Sequence, residues 1–106
     1  MCAQRRLLPP LVLALGLGTL SAHAKTITVT VEKMAFSPAE IGASVGDTVQ
    51  WVNKDAFAHT ATVTGEWEVM LPVAKSGSIV LEKAGTLDYF CRFHPNMKGR
   101  IAVSAP

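Results

Sequence analysis

The chain is 106 residues long and has room for one domain at most. Its formal charge of +2 rests on Arg5 and Arg6, because residues 25–106 carry eight basic and eight acidic side chains. That balance leaves no basic stripe for nucleic acid and no charge block for a membrane surface.

In chain order, residues 1–24 read as a secretory signal. Arg5 and Arg6 give a positive start, Leu11 to Leu20 is apolar and uncharged, and Ala22-His23-Ala24 supplies a small-x-small cleavage pattern. The competing reading is a membrane anchor. Leu7 to Ala22 spans only 16 residues and contains Pro9 and Pro10, whereas a spanning helix needs about 20 apolar residues. Cleavage after Ala24 is therefore expected, leaving one domain over residues 25–106. Arg5-Arg6 is a weak twin-arginine signal. Of the two cysteines only Cys91 survives such processing, so no intramolecular disulfide is possible. A lone thiol in an oxidising compartment calls for burial or a metal to protect it.

Thr26 to Glu32 alternates strictly, with Ile27, Val29 and Val31 on one face and Thr26, Thr28, Thr30 and Glu32 on the other. This predicts a half-buried strand. Met34 to Pro38 reads as a bend and Glu40 to Val45 as a second strand. Gly46-Asp47 reads as a turn. Thr48 to Asn53 is a strand with Trp51 as core anchor, and Lys54 to Ala58 is a loop leading to His59. Thr60 to Thr64 reads as a strand and Gly65 to Lys75 as less regular. Trp67, between Glu66 and Glu68, reads as a half-buried surface aromatic. Ser76 to Leu81, Thr86 to Cys91 and Arg100 to Ser104 complete the set. Seven or eight short strands with turns between them, and no helix-period segment, predict an all-β antiparallel sandwich.

One segment carries chemistry. Cys91-Arg92-Phe93-His94-Pro95-Asn96-Met97 sets a thiol, an imidazole and a thioether at C-x2-H-x2-M spacing directly after the run Leu87 to Phe90. A second imidazole, His59, lies 32 residues upstream. Taken alone, Cys91 reads as a small buried apolar residue, His94 as an ordinary loop histidine and Met97 as core filler. Taken together they match the thiolate, two imidazoles and weak axial thioether of a blue-copper electron-transfer site. Two other classes compete. A copper storage or delivery protein would favour a Met-rich or open site. A cysteine hydrolase would use Cys91 activated by His94 or His59, but no further orienting residue or oxyanion motif is evident and Met97 would be idle.

The loop Tyr89 to Gly99 resembles the copper loop of amicyanins, small blue-copper proteins of the plastocyanin-like cupredoxin family. Plastocyanins and pseudoazurins have the longer C-x2-H-x4-M spacing. The likeness extends to Phe36-Ser37-Pro38, to Val45 through Asn53 and to Ala84 through Tyr89, and so covers nearly all of residues 25–106. It implies a small Greek-key β-sandwich holding one type 1 copper through His59, Cys91, His94 and Met97. It also implies a periplasmic, monomeric one-electron carrier rather than an enzyme. A periplasmic amine dehydrogenase would be the donor and a c-type cytochrome the acceptor. An apolar patch of Met34, Phe57, Ala58, Met70, Phe93 and Pro95 would surround His94, although Met34 and Met70 taken singly read as core.

Two positions depart from the family pattern. Thr60 stands where asparagine usually braces the two ligand segments, and its hydroxyl has shorter reach. Phe93 stands where proline usually precedes the second histidine. Its backbone N–H is expected to donate to the Cys91 sulfur and so raise the reduction potential.

Overall fold

The computed structural model describes residues 23–106. The expected leader lies outside the described residues except for His23 and Ala24, which are exposed and belong to no strand. Nine strands follow: β1 (Thr26–Glu32), β2 (Ala35–Ser37), β3 (Glu40–Ser44), β4 (Thr48–Asn53), β5 (His59–Val63), β6 (Trp67–Leu71), β7 (Ser76–Val80), β8 (Gly85–Phe90) and β9 (Lys98–Ser104). There is no helix among the described residues.

The strands form a sandwich of two sheets, ordered β2-β1-β4-β7 and β3-β9-β8-β5-β6. The sheets are mixed rather than purely antiparallel. β1 runs parallel to β4, with Val29 opposite Trp51, and β3 runs parallel to β9, with Ile41 opposite Ile101. The reason is topological: between β1 and β4 the chain crosses to the other sheet as β3 and returns in its original direction. Nine strands exceed the expected seven or eight, and the two outside the seven segments read as strands are β2 and β6. The first is a three-residue edge strand inside the expected Met34–Pro38 bend. The second lies in the segment read as irregular, where Trp67, Val69 and Leu71 turn inward while Glu68 and Met70 face out.

Alternation places the core where the sequence puts it. Val29, Val31, Val49, Trp51, Leu71 and Ile101 are fully buried between the sheets. Trp51 is the hub, with ring centroids 5.4 Å from Tyr89 and 5.9 Å from the half-buried Trp67. Tyr89 also stacks edge-on with Phe36 at 4.8 Å, a geometry that adds favourable quadrupole contact to area burial. Gly99 is required by this cluster, because any Cβ there would collide with the Tyr89 ring. The Gly46-Asp47 turn is tied by its own carboxylate, which accepts from the Lys25 and Ser44 N–H groups at 3.0 and 2.9 Å. Lys25 Nζ lies 3.3 Å from the same carboxylate.

The second sheet sets up the functional end of the sandwich. β8 and β9 form an antiparallel hairpin whose connection is the segment Cys91 to Met97. β5 lies beside β8 and begins at His59. The sheet therefore delivers the start of one strand and one hairpin loop to the same edge.

Candidate metal centre

The loop after β8 closes on itself. Cys91 N–H donates to Met97 O at 3.0 Å, Met97 N–H to His94 O at 2.8 Å, and His94 N–H to Cys91 O at 3.1 Å. These bonds set Cys91 and Met97 opposite each other at the base and His94 between them. Cys91 is fully buried, Met97 is buried, and His94 is half-buried. Pro95, next in the loop, contributes no backbone donor that would need a partner.

His59 arrives from the neighbouring strand and is fully buried. Its Nε2 lies 2.8 Å from Asp55 Oδ2. An ionised carboxylate only accepts, so Nε2 carries the proton and Nδ1 is left with a free lone pair. That Nδ1 lies 3.7 Å from Cys91 Sγ, and His94 Nδ1 lies 3.6 Å from the same sulfur. The two imidazole rings are 5.0 Å apart.

Asp55 is held in turn. It accepts from Lys33 N–H at 2.6 Å and Met34 N–H at 3.0 Å. Both residues adopt left-handed backbone, with φ of 57° and 61°, so two successive amides face one anion. Burial pushes the Asp55 carboxyl up, but the Met34, His59 and Lys33 donors outweigh it and hold the group below its ordinary value. Asn53 fixes the rest of this loop. Its Oδ1 accepts from Asp55 N–H at 2.9 Å, and its Nδ2 donates to Phe57 O at 2.8 Å and Leu71 O at 2.9 Å.

The sulfur has one backbone donor. Thr60 N–H points at Cys91 Sγ at 3.4 Å. The expected Phe93 donor is not found: among the described residues no hydrogen bond joins the Phe93 N–H to that sulfur. The curled loop explains this, because Arg92 N–H goes to Thr60 Oγ1 at 2.8 Å and His94 N–H folds back on Cys91 O. The sulfur is thus reached from β5 rather than from its own loop. Thr60 does link the two ligand segments despite its short side chain.

Donor atoms from His59, Cys91 and His94, one each, lie within 4.8 Å of one another. Bonds to a divalent first-row ion run about 2.0–2.1 Å for imidazole nitrogen and about 2.3 Å for thiolate sulfur. Two such donors seen from one ion at about 110–120° lie roughly 3.5–3.8 Å apart, which matches both nitrogen–sulfur distances. The residues present therefore fit a metal ion. One soft thiolate with two imidazoles, and a thioether buried in the same short loop, suits copper better than the closed sulfur-rich or all-histidine sets of zinc. The same geometry weakens the hydrolase reading. Cys91, His59 and Asp55 are in line, but a nucleophilic cysteine needs access, and Cys91 has no exposed surface.

Around His94 the surface is apolar. Phe57 and Phe93, beside His94, are 58% and 45% exposed; Met34 and Met70 are exposed as well, at 40% and 48%, so the reading of the two methionines as core is corrected. Met70 faces out because β6 alternates with Leu71 inward, and Met34 because its left-handed turn carries it off the sheet. The Phe57 ring stands edge-on to His94 at 6.3 Å. Sequence reasoning missed Asp55. Its only trace there is a carboxylate four residues before His59.

The sequence matches the cupredoxin-like domain family over residues 7–103. It is 38% identical over 84 residues to an amicyanin of Paracoccus denitrificans, covering 73% of this chain and 64% of that protein. It is 33% identical over 101 residues to amicyanin-alpha of Methylorubrum extorquens, covering 85% of both. The match spans just under two thirds of the amicyanins from Paracoccus denitrificans and Paracoccus versutus, at 64% and 66% of their lengths. Among solved structures, a reduced proline-to-phenylalanine mutant of amicyanin is similar at a TM-score of 0.66 and 36% identity, covering 74% of this chain and 82% of that one. A Cu(I) methionine-to-glutamine mutant of amicyanin is similar at 0.65 and 34%, with the same coverage.

Proposed function

The chain belongs to the cupredoxin family and groups within it with the amicyanins, and on that premise we propose that it is a periplasmic blue-copper protein carrying single electrons between redox proteins. His59, Cys91, His94 and Met97 would hold one copper per chain. The observation that carries this reading is the convergence of two imidazole Nδ1 atoms on the buried Cys91 sulfur at 3.6 and 3.7 Å. Copper bound there supplies a Cu(II)/Cu(I) couple whose covalent thiolate bond gives the blue colour.

The chain's own residues do the rest. Asp55 orients His59 and fixes its tautomer, as outer-shell carboxylates do for ligating histidines. Thr60 N–H stabilises negative charge on the sulfur. The loop's three internal hydrogen bonds hold Cys91, His94 and Met97 in one arrangement, which would limit reorganisation when the bound copper changes oxidation state. Burial of His59 and Cys91 excludes water and substrates, so the site is suited to electron transfer and not to hydrolysis. His94 is the one half-buried ligand, and it opens onto Phe57 and Phe93. This makes it the point of electron exit and entry and makes the apolar patch a transient docking face. A periplasmic amine dehydrogenase is the proposed donor and a c-type cytochrome the proposed acceptor, with the carrier monomeric after removal of residues 1–24.

The test is a redox titration of the purified protein loaded with one equivalent of copper. A reversible one-electron wave with copper retained over repeated cycles supports a carrier. Release of Cu(I) on reduction indicates delivery or storage instead.

A further inference from the structure

Thr60 does not brace the site alone. Its Oγ1 accepts the Arg92 N–H at 2.8 Å and lies 2.8 Å from Thr62 Oγ1. Thr62 Oγ1 donates to Glu68 Oε1 at 2.9 Å. Glu68 is gripped by the Arg92 guanidinium through Nε at 2.8 Å and Nη2 at 2.9 Å. The ring therefore leaves Arg92 by its main chain and returns by its side chain. Thr62 joins three strands, standing opposite Glu68 on β6 and Phe90 on β8.

The direction of this ring is forced. A carboxylate only accepts, so the single Thr62 proton goes to Glu68. Thr62 then has only an acceptor to offer, so the Thr60 proton goes to Thr62. The Thr60 oxygen is left to accept, and it takes the Arg92 N–H. Thr60 and Thr62 are buried, at 0% and 8% exposure, where a hydroxyl without a partner is costly. Arg92 is itself fixed on its other side, with its guanidinium 4.9 Å from the Phe93 ring centroid. Every member touches a ligand's neighbour: Arg92 follows Cys91, and Thr60 follows His59.

We propose that Glu68 is a positioning residue for the Cys91 thiolate: through Thr62 and Thr60 it polarises a hydroxyl relay that clamps the Arg92 amide to β5. This deepens the copper reading and rests on it only for the second of the two readouts below. The departure from asparagine at position 60 is thereby compensated by residues 62, 68 and 92.

Amide hydrogen exchange followed by NMR on the copper-free protein tests the clamp without reference to metal. In Glu68→Ala the Arg92 and Thr60 amides should exchange roughly five- to tenfold faster, the factor expected for one net hydrogen bond. The Val29 and Trp51 amides should not change. Asp88→Ala, which removes the separate Asp88–Arg100 ion pair, should leave both site amides as they were. In a Thr60→Asn background, where one carboxamide accepts the Arg92 N–H unaided, Glu68→Ala should become silent. Should Glu68→Ala not fold, the isosteric Thr62→Val should reproduce the loss and Thr62→Ser should restore the original rates. The second readout, on copper-loaded protein, is a shift of the charge-transfer band and of the potential in Glu68→Ala but not in Asp88→Ala. Unchanged Arg92 exchange in Glu68→Ala, or an equal change in Asp88→Ala, overturns the proposal. Failure to take up copper with the exchange pattern intact overturns the copper reading alone.

Discussion

Removing the Asp55 carboxylate tests how far one outer residue organises the centre. Asp55 accepts three hydrogen bonds: from Lys33 N–H, Met34 N–H and His59 Nε2. In Asp55→Ala the two backbone donors lie in an exposed turn and pass to water at little cost. The His59 donor cannot do so, because the ring is fully buried. An orphaned buried donor costs about 1–3 kcal/mol, and the copper-free protein should lose that much stability in urea denaturation. The imidazole also loses the partner that fixes its tautomer, so Nδ1 no longer presents its lone pair to Cys91 in every molecule. Loss of such outer-shell partners typically weakens metal affinity by about 10–100-fold. Competition with a chelator of known affinity measures this, and the Thr62 and Met97 amide shifts report whether the sandwich is intact. Copper affinity within about twofold of the parent protein, in a variant destabilised as expected, would refute the orienting role while leaving the hydrogen bond itself accepted.

Three further outcomes follow from other parts of the fold. Gly99→Ala should destabilise the protein by about 1–3 kcal/mol through overpacking against the Tyr89 ring, and urea midpoints at constant m-value would show it. The Asp47 carboxyl is held below its ordinary value, first by the Lys25 N–H and then by the Ser44 N–H. A carboxyl depressed in the native state stabilises it above the unfolded value of about 3.8, and that contribution disappears as pH falls through the native value. Stability should therefore fall more steeply below about pH 4 in the parent than in Asp47→Asn, and parallel acid limbs would contradict this. Exported protein should begin at Lys25 by intact-mass measurement, whereas a chain retaining Leu11 to Leu20 would point to a tether.

What the sequence made legible was local. The alternation of Thr26 to Glu32 states which face of β1 is buried without reference to any other strand. The donor loop is readable because Cys91, His94 and Met97 are contiguous, and hairpin geometry does the rest. β6 was hidden because an outward Met70 breaks the apolar–polar alternation that marks a half-buried strand. The parallel pairs were hidden because direction depends on which sheet each strand joins, a property of the whole path. Asp55 reaches His59 through a loop whose shape is set by Asn53 and by left-handed residues on a different segment, Lys33 and Met34. No spacing rule encodes that meeting. The Phe93 expectation failed for the same reason: residue type showed that an N–H exists, but only the curl of the loop decides where it points. The Thr60–Thr62–Glu68–Arg92 ring likewise depends on the β5–β6 register.

The most direct test of the central claim is the absorption spectrum of the protein on addition of one equivalent of Cu(II), taken beside that of Cys91→Ser. The parent should turn intensely blue through thiolate-to-copper charge transfer, and the serine variant should stay folded and colourless, because a hydroxyl cannot supply the soft covalent bond. A colourless parent, or a serine variant that keeps the intense band, would contradict the assignment of Cys91 as the ligand on which the copper site is built.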